Sequence, residues 1–295
     1  ESAGDSGSDR SRPSSERVLL SRRRTVVATS HHSLTLTISA QNPATGTVSI
    51  PLTGWSTNFN VTANGIAQVV VPNTAEHIGS EVITNKGVHI VSSADIAVTA
   101  TSYQNFTTDA MQLLPVSSLG TTYRAEAYRG LPGFAEFYKS ELLVVATQDG
   151  TQVTITPSVL TSGGQPANMP FTINLNAGQS YQVQSASSSL DLTGTLVEGT
   201  AQSGPCRPFA VFSGSMCANV PVGCPACDHI CEQMVPTERW GTAFHTVPIP
   251  GTTQHTYRVL AHQNGTQVAI DGGAPITLNA GAQYQVNAQA TGVCI

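Results

Sequence analysis

The chain has 295 residues, 40% of them hydrophobic, which is enough apolar material for a core, and its length suggests roughly two domains at about 150 residues each. Charged residues make up only 11%, against the usual ~25%, and the net charge is −5. Arg10, Arg12, Arg17, Arg22, Arg23 and Arg24 are six of the 13 basic residues and all precede Thr25, so the remainder offers no basic groove for nucleic acid or an anionic membrane, and no stretch reaches the ~20 apolar residues of a membrane span.

Residues 1–33 are rich in Ser, Gly, Asp and Arg and hold too few apolar side chains to offset the entropy of ordering, so they are expected to be a disordered linker. The run Arg22–Arg24 is a solvated stretch or a processing site. From Leu34 the texture changes to period two. Leu34, Leu36 and Ile38 alternate with Thr35 and Thr37, which places one apolar row on one face of a strand. The same β-branched texture returns at 48–50, 68–71, 88–91, 96–99, 142–147, 153–155 and 257–260, punctuated by Gly, Asn, Asp and Pro. No helical stripe appears, and 17 prolines and 26 glycines oppose long helices. The fold class is all-β.

Internal repetition organises the rest. Val144–Val153 recurs as Val259–Val268, Ile173–Gly178 as Ile276–Gly281, and Tyr181-Gln182-Val183 as Tyr284-Gln285-Val286. The longer spacing in the earlier block includes Gly163-Gly164-Gln165-Pro166, so residues ~158–169 are expected to form an exposed loop whose deletion leaves the melting temperature nearly unchanged. Asp149-Gly150 and Asn264-Gly265 supply the positive φ of tight hairpin turns. A fainter copy carries Gly46-Thr47-Val48, and Leu114–Tyr123 matches Val235–Phe244. Tandem β-sandwich-like repeats follow, over 34–139, 140–256 and a truncated 257–295; a propeller is the alternative, though its blades run nearer ~40–50 residues. The opening at Glu1 and the end at Ile295 read as those of a segment, with further modules of the same chain expected beyond it.

The candidate chemistry is sparse. Cys206, Cys217, Cys224, Cys227, Cys231 and Cys294 form an even set in a Thr-rich β chain, which points to disulfides, with 15 possible pairings. Cys224-Pro225-Ala226-Cys227 also has the spacing of one zinc knuckle, but no second knuckle exists, and a redox pair would open a helix in a βαβ unit. Asn60, Asn105 and Asn264 begin Asn-x-Thr sequons and are N-glycosylation candidates. There is no Gly-x-Ser-x-Gly elbow, Walker loop, dinucleotide fingerprint or His-Glu-x-x-His. Asp228-His229 could be an acid/base pair, but a turn cap and a packed imidazole explain it more simply. Glu126, Glu136 and Glu141 are the scattered acids on which a glycosidase reading would rest. No metal site, cofactor or catalytic residue is expected.

One resemblance adds to this. Val211-Phe212-Ser213-Gly214, Cys217, Val220-Pro221, Cys227-Asp228-His229, Glu232-Gln233, Pro236 and Trp240-Gly241 resemble the N-terminal domain of the IgGFc-binding protein family. Thr108-Asp109-Ala110, Leu114–Tyr123 and Asp191–Thr195 resemble it too, so Asp109, Asp228, His229 and Trp240 stand as its motif positions. The resemblance runs from about residue 35 to the end. It implies an extracellular, mucus- or surface-associated protein, with von Willebrand type D modules in vertebrate members and no ligand fixed by the family name. It also implies that Cys217 and Cys227 are the shared pair, with Cys224 and Cys231 additional. The resulting expectation is a secreted, non-catalytic binding or adhesion module for an extracellular protein or glycan ligand, with no nucleic-acid partner and no membrane insertion. The alternatives are a carbohydrate-active enzyme or its accessory domain, and a structural spacer.

Overall fold

A computed structural model describes residues 15–19, 33–133, 138–201, 205–223, 226–247, 250–251 and 255–289. The first unit contains β1 (Ser15–Leu19), β2 (Ser33–Ala40), β3 (Ala44–Ile50), β4 (Trp55–Val61), β5 (Gly65–Val71), β6 (Ile83–Thr84), β7 (Val88–Ser92), β8 (Ala97–Gln104) and β9 (Thr107–Gln112). All but β6 form two four-stranded antiparallel sheets, β1-β7-β3-β4 and β5-β2-β8-β9. The alternation on β2 works as read: Leu34, Leu36 and Ile38 are buried while Thr35 and Thr37 stay half-exposed. Val48, Ile50, Val88, Ile90 and Val98 join them in one sandwich core. Strand β1 lies inside the segment read as a disordered linker, where Arg17 is in register with Ile90; residues 1–14 and 20–32, with Arg22–Arg24, lie outside the described residues.

The second unit contains β10 (Thr122–Arg124), β11 (Ser140–Ala146), β12 (Thr151–Thr156), β13 (Phe171–Leu175), β14 (Ser180–Gln184), β15 (Leu196–Gly199), β16 (Phe209–Ala218) and β17 (Asp228–Gln233). Its sheets run β10-β15-β12-β13 and β17-β16-β11-β14-β6. Strand for strand this is the order of the first unit, with β10 in the place of β1 and β6 as an addition. The sequence boundary at 139/140 therefore falls inside the second sandwich. The shared segment around Leu114–Tyr123 is the joint and the first strand of the next unit, not the end of the previous one: a 3-10 turn at Val116–Ser118 leads into β10, and its counterpart at Thr237–Arg239 follows β17. Pro115 and Pro236 enter these two turns in extended conformation.

Strands β11 and β16 do not alternate; every residue in both is buried. Their sheet is covered on both faces. Leu142, Val144 and Ala146 face the second sandwich core with Val153, Ile155 and Phe209. Leu143 and Val145, with Ala210 and Phe212, belong instead to the apolar cluster of the first sandwich. One sheet thus serves two cores, which is why Leu142–Ala146 reads as an unbroken apolar run. Its outer strand β14 would present an open edge, and the first unit closes it: β6 pairs there, Ser180 with Thr84 and Tyr181 with Ile83, and the Glu81 N–H donates to the Gln182 carbonyl at 2.6 Å.

The third unit contains β18 (His255–Leu260), β19 (Thr266–Val268), β20 (Ile276–Leu278) and β21 (Gln283–Gln289), paired β18-β21 and β19-β20. The repeat is kept to the register: Val259 faces Tyr284 as Val144 faces Tyr181, and Thr266 faces Leu278 as Thr151 faces Leu175. The turn glycines Gly150 and Gly265 have φ of 65° and 73°.

The loop at ~158–169 is only partly as expected. Residues 162–164 and 166–170 are exposed, but Thr161 is buried, donates to Glu81 Oε1 of the first unit and accepts from the Gln165 N–H at 2.9 Å. The Ser162 N–H donates to the Gln184 carbonyl, and Ala186 N–H to that of Leu160. The base of the loop is part of the joint with the first unit, so deletion of the whole segment breaks buried hydrogen bonds; only its outer part is dispensable.

Candidate functional site

Strands β9 and β17 run side by side at the joint of the first two units, and the side chains between them are the motif residues. The Asp109 carboxylate accepts from the Cys231 backbone N–H at 2.5 Å through Oδ2, and from the Ala110 N–H at 2.8 Å through Oδ1. Thr107 donates its hydroxyl to Asp228 Oδ1 and accepts from the His229 N–H at 3.0 Å. His229 Nδ1 lies 3.7 Å from Asp109 Oδ2. Further along, Gln233 Oε1 accepts from the Leu114 N–H at 2.7 Å. Asp109, Asp228 and His229 are therefore brought together by bonds, Thr107 to His229 and Asp109 to Cys231, that each link residues 122 apart in sequence.

Burial is the main force raising the Asp109 carboxyl above the ordinary carboxylate range, opposed by the Cys231 and Ala110 N–H donors. Glu232 is raised as well, by burial first and then by Asp109. The geometry is that of a latch. The Thr107 hydroxyl gives its proton to a carboxylate, while the imidazole faces Asp109, so Thr107 and His229 do not form a nucleophile–base pair. Among the described residues no group of three or more His, Cys, Asp or Glu side chains is arranged to hold a metal ion.

Beyond the latch the β16–β17 hairpin ends in a loop closed by a disulfide between Cys217 and Cys227, whose Cα atoms are 5.2 Å apart. Tyr138, Met216 and Leu131 pack around it. Asn219 donates through its side-chain amide to the Ala226 carbonyl inside the loop. Val220 and Val222 nevertheless point outward, 43% and 51% exposed. Replacing Cys217 and Cys227 by Ser should cost about 2–3 kcal/mol by loop entropy, read as a lowered midpoint in urea that reduction of the parent protein reproduces. Cys231 is buried at the latch, and Cys206 carries a thiol that donates to the Gly199 carbonyl at 3.2 Å instead of entering a disulfide. Cys224 and Cys294 lie outside the described residues.

Trp240 is elsewhere, at the joint of the second and third units. Its indole N–H donates to the Val235 carbonyl at 3.0 Å, and its ring meets that of His262 edge-on at 6.1 Å. The same joint holds Arg258, bonded to Asp191 Oδ2 at 2.8 Å and to the Ala127 carbonyl at 2.6 Å, with its guanidinium 4.2 Å from the Tyr128 ring centre. The sequence reasoning missed Arg258. The repeat alignment holds the signal, because Arg258 occupies the position of Leu143, and an arginine at a buried position of a repeat needs partners.

Glu126 lies 3.6 Å from Arg258, yet burial outweighs that cation and pushes its carboxyl up to about 7. A carboxyl raised in the folded state binds its proton more tightly there than in the unfolded chain. Its contribution to stability is therefore present below the unfolded carboxylate range and is lost as the pH rises through about 7. Melting curves should move down between pH 5 and 8, and Glu126→Gln should flatten that slope; the side chain is 36% exposed, so the effect is moderated by solvent. Glu141 is fully buried on the first-unit side of β11, where it accepts from the Gln184 amide at 2.5 Å, so it does not face Glu126 across a cleft. Glu136 lies outside the described residues.

Asn60 is exposed on β4, Asn105 at the tip between β8 and β9, and Asn264 at the turn before β19. Asn264 Oδ1 accepts from the Ala280 N–H at 3.0 Å, the bond that Asp149 Oδ1 makes with Ala177 in the second unit.

The family model described as IgGFc binding protein matches residues 109–295. The IgGFc-binding protein of Homo sapiens is 30% identical over 253 residues, which is 84% of this chain and 4% of the human protein, so the chain spans a small fraction of that relative's length. No solved structure matches the chain. The family match begins at Asp109 of the latch and takes in the disulfide loop and both motif residues of β17, and the chain belongs to the IgGFc-binding protein family.

Proposed function

We propose that this chain is a non-catalytic extracellular binding segment that engages a protein or glycan ligand through the disulfide-closed loop of the β16–β17 hairpin. The observation that carries the reading is that this loop is held from two sides and still exposes apolar side chains. The disulfide closes it, and the Thr107–Asp228 and Asp109–Cys231 bonds fix its base to the first unit, while Val220 and Val222 remain open to solvent. A loop ordered in advance loses little entropy on binding, and function on β scaffolds concentrates in such loops. The disulfide fits an oxidising compartment. Among the described residues no helix is long and apolar enough to cross a membrane.

The human relative's name ties that protein to the Fc part of IgG, which makes Fc one ligand to test beside mucin glycoproteins and a glycan array. The segment should bind at least one of these, and Val220→Ser with Val222→Ser should weaken that binding while leaving the melting temperature unchanged. Binding that survives both changes places the contact elsewhere. Turnover in a glycosidase panel that one carboxylate substitution abolishes sinks the non-catalytic reading.

A further inference from the structure

The β8–β9 hairpin turns at Asn105-Phe106, between the paired Gln104 and Thr107. Phe106 is fully exposed and has φ of 72°. Left-handed backbone favours glycine or asparagine, and an aromatic ring there without a single neighbour to pack on contributes nothing to the fold. Tyr103 is the last residue but one of β8, two residues before Asn105 in the turn. It is 47% exposed, with its hydroxyl 3.5 Å from Asn105 Oδ1. Two exposed aromatic rings therefore flank an exposed asparagine, and Asn105-Phe106-Thr107 is a sequon.

We infer that Asn105 is an N-glycosylation site and that its glycan covers Tyr103 and Phe106. The C–H face of the first sugars has the flat, weakly polar character that stacks on an aromatic ring, and the chain offers one ring on each side of the acceptor. In the transfer, Asn105 Nδ2 attacks the anomeric carbon of a lipid-diphosphate-linked oligosaccharide. The C1–Nδ2 bond forms, the C1–O bond to the diphosphate breaks, the lipid diphosphate leaves, and Nδ2 gives up one proton. The Thr107 hydroxyl is engaged by Asp228 in the folded protein, but Asp228 lies 121 residues further on, so Thr107 is free for the transferase before the second unit is made.

The other sequons lack this arrangement. Asn264 makes a bond that Asp149, which no glycan can modify, also makes in its own unit, so the fold accounts for it. Asn60 is followed by Val61, which is buried in the first core.

The inference needs only passage through the secretory route and no particular ligand, so it stands or falls apart from the binding reading. The full chain, behind a secretion leader, is produced in eukaryotic cells and its glycopeptides are read by mass spectrometry. Hydroxyl-radical footprinting of Tyr103 and Phe106 is then compared before and after the glycan is released by N-glycanase. Asn105 should be occupied, and oxidation of both rings should rise several-fold on release. Asn105→Gln should show the high oxidation throughout. An unmodified Asn105 in the secreted protein overturns the site. Occupancy with equal oxidation before and after release overturns the shielding.

Discussion

Leu143→Ala is expected to loosen the first unit from the second, while Leu142→Ala, one residue earlier, is expected to weaken the second sandwich from within. Both side chains are fully buried on β11, and each change should cost about 2–5 kcal/mol for the lost transfer energy and the cavity left behind. The two differ in the core that they open. Leu142 packs with Val153, Ile155 and Val197 between the sheets of the second unit. Leu143 packs with Phe212 against the cluster that holds Leu113, Met111 and Leu119 of the first. Hydrogen exchange separates the cases. Leu143→Ala should raise exchange around β6 and β9, and Leu142→Ala in β12 and β15. If the two substitutions give the same exchange pattern, the central sheet does not serve two cores.

Gly194→Ala is expected to detach the third unit while leaving the first two folded. Gly194 has φ of 90°, a conformation that costs a side-chain-bearing residue about 1–3 kcal/mol. A Cβ at this position would also stand 2.3 Å from the Gly281 carbonyl oxygen, closer than any real contact, so the two backbones would have to part. Arg124 spans the same gap, donating to the Gly194 carbonyl at 2.8 Å in its own unit and to the His262 carbonyl at 3.5 Å in the third, and this second bond would go too. The first joint has the same design: the Gly87 N–H donates to the Gly178 carbonyl at 2.9 Å, and a Cβ on Gly87 would lie 2.7 Å from that oxygen. Small-angle scattering of the Gly194→Ala protein should give a larger radius of gyration, with faster exchange in β18 and β21. Gly87→Ala should do the same between the first and second units. Unchanged scattering from both would mean that the glycine contacts do not hold the units together.

The two joints differ in chemistry although they repeat in backbone. Leu143 at the first is replaced by Arg258 at the second, so an apolar seam becomes a charged one with Asp191 and Glu126. The pH dependence expected of Glu126 belongs to the second joint for that reason.

The sequence by itself determined the class, the repeat and the local turns of this protein. Leu34, Leu36 and Ile38 must share one face of a strand because the pleat has a period of two, and Gly150 and Gly265 must turn because the positive φ there strains other residues. The same matched segments gave the register of the third unit, since cross-strand partners follow once turn and alternation are set. The tertiary structure alone decided which faces of β11 meet which core, because an unbroken apolar run is compatible with burial on either side and carries no periodicity to say what covers it. It alone placed β10 with the second unit, since a three-residue strand has too little pattern to name its partner. It also gathered Thr107, Asp109, Asp228 and His229 into one latch. Each is an ordinary polar residue in its own strand, and their common purpose exists only where β9 and β17 lie side by side with backbone N–H groups that need acceptors.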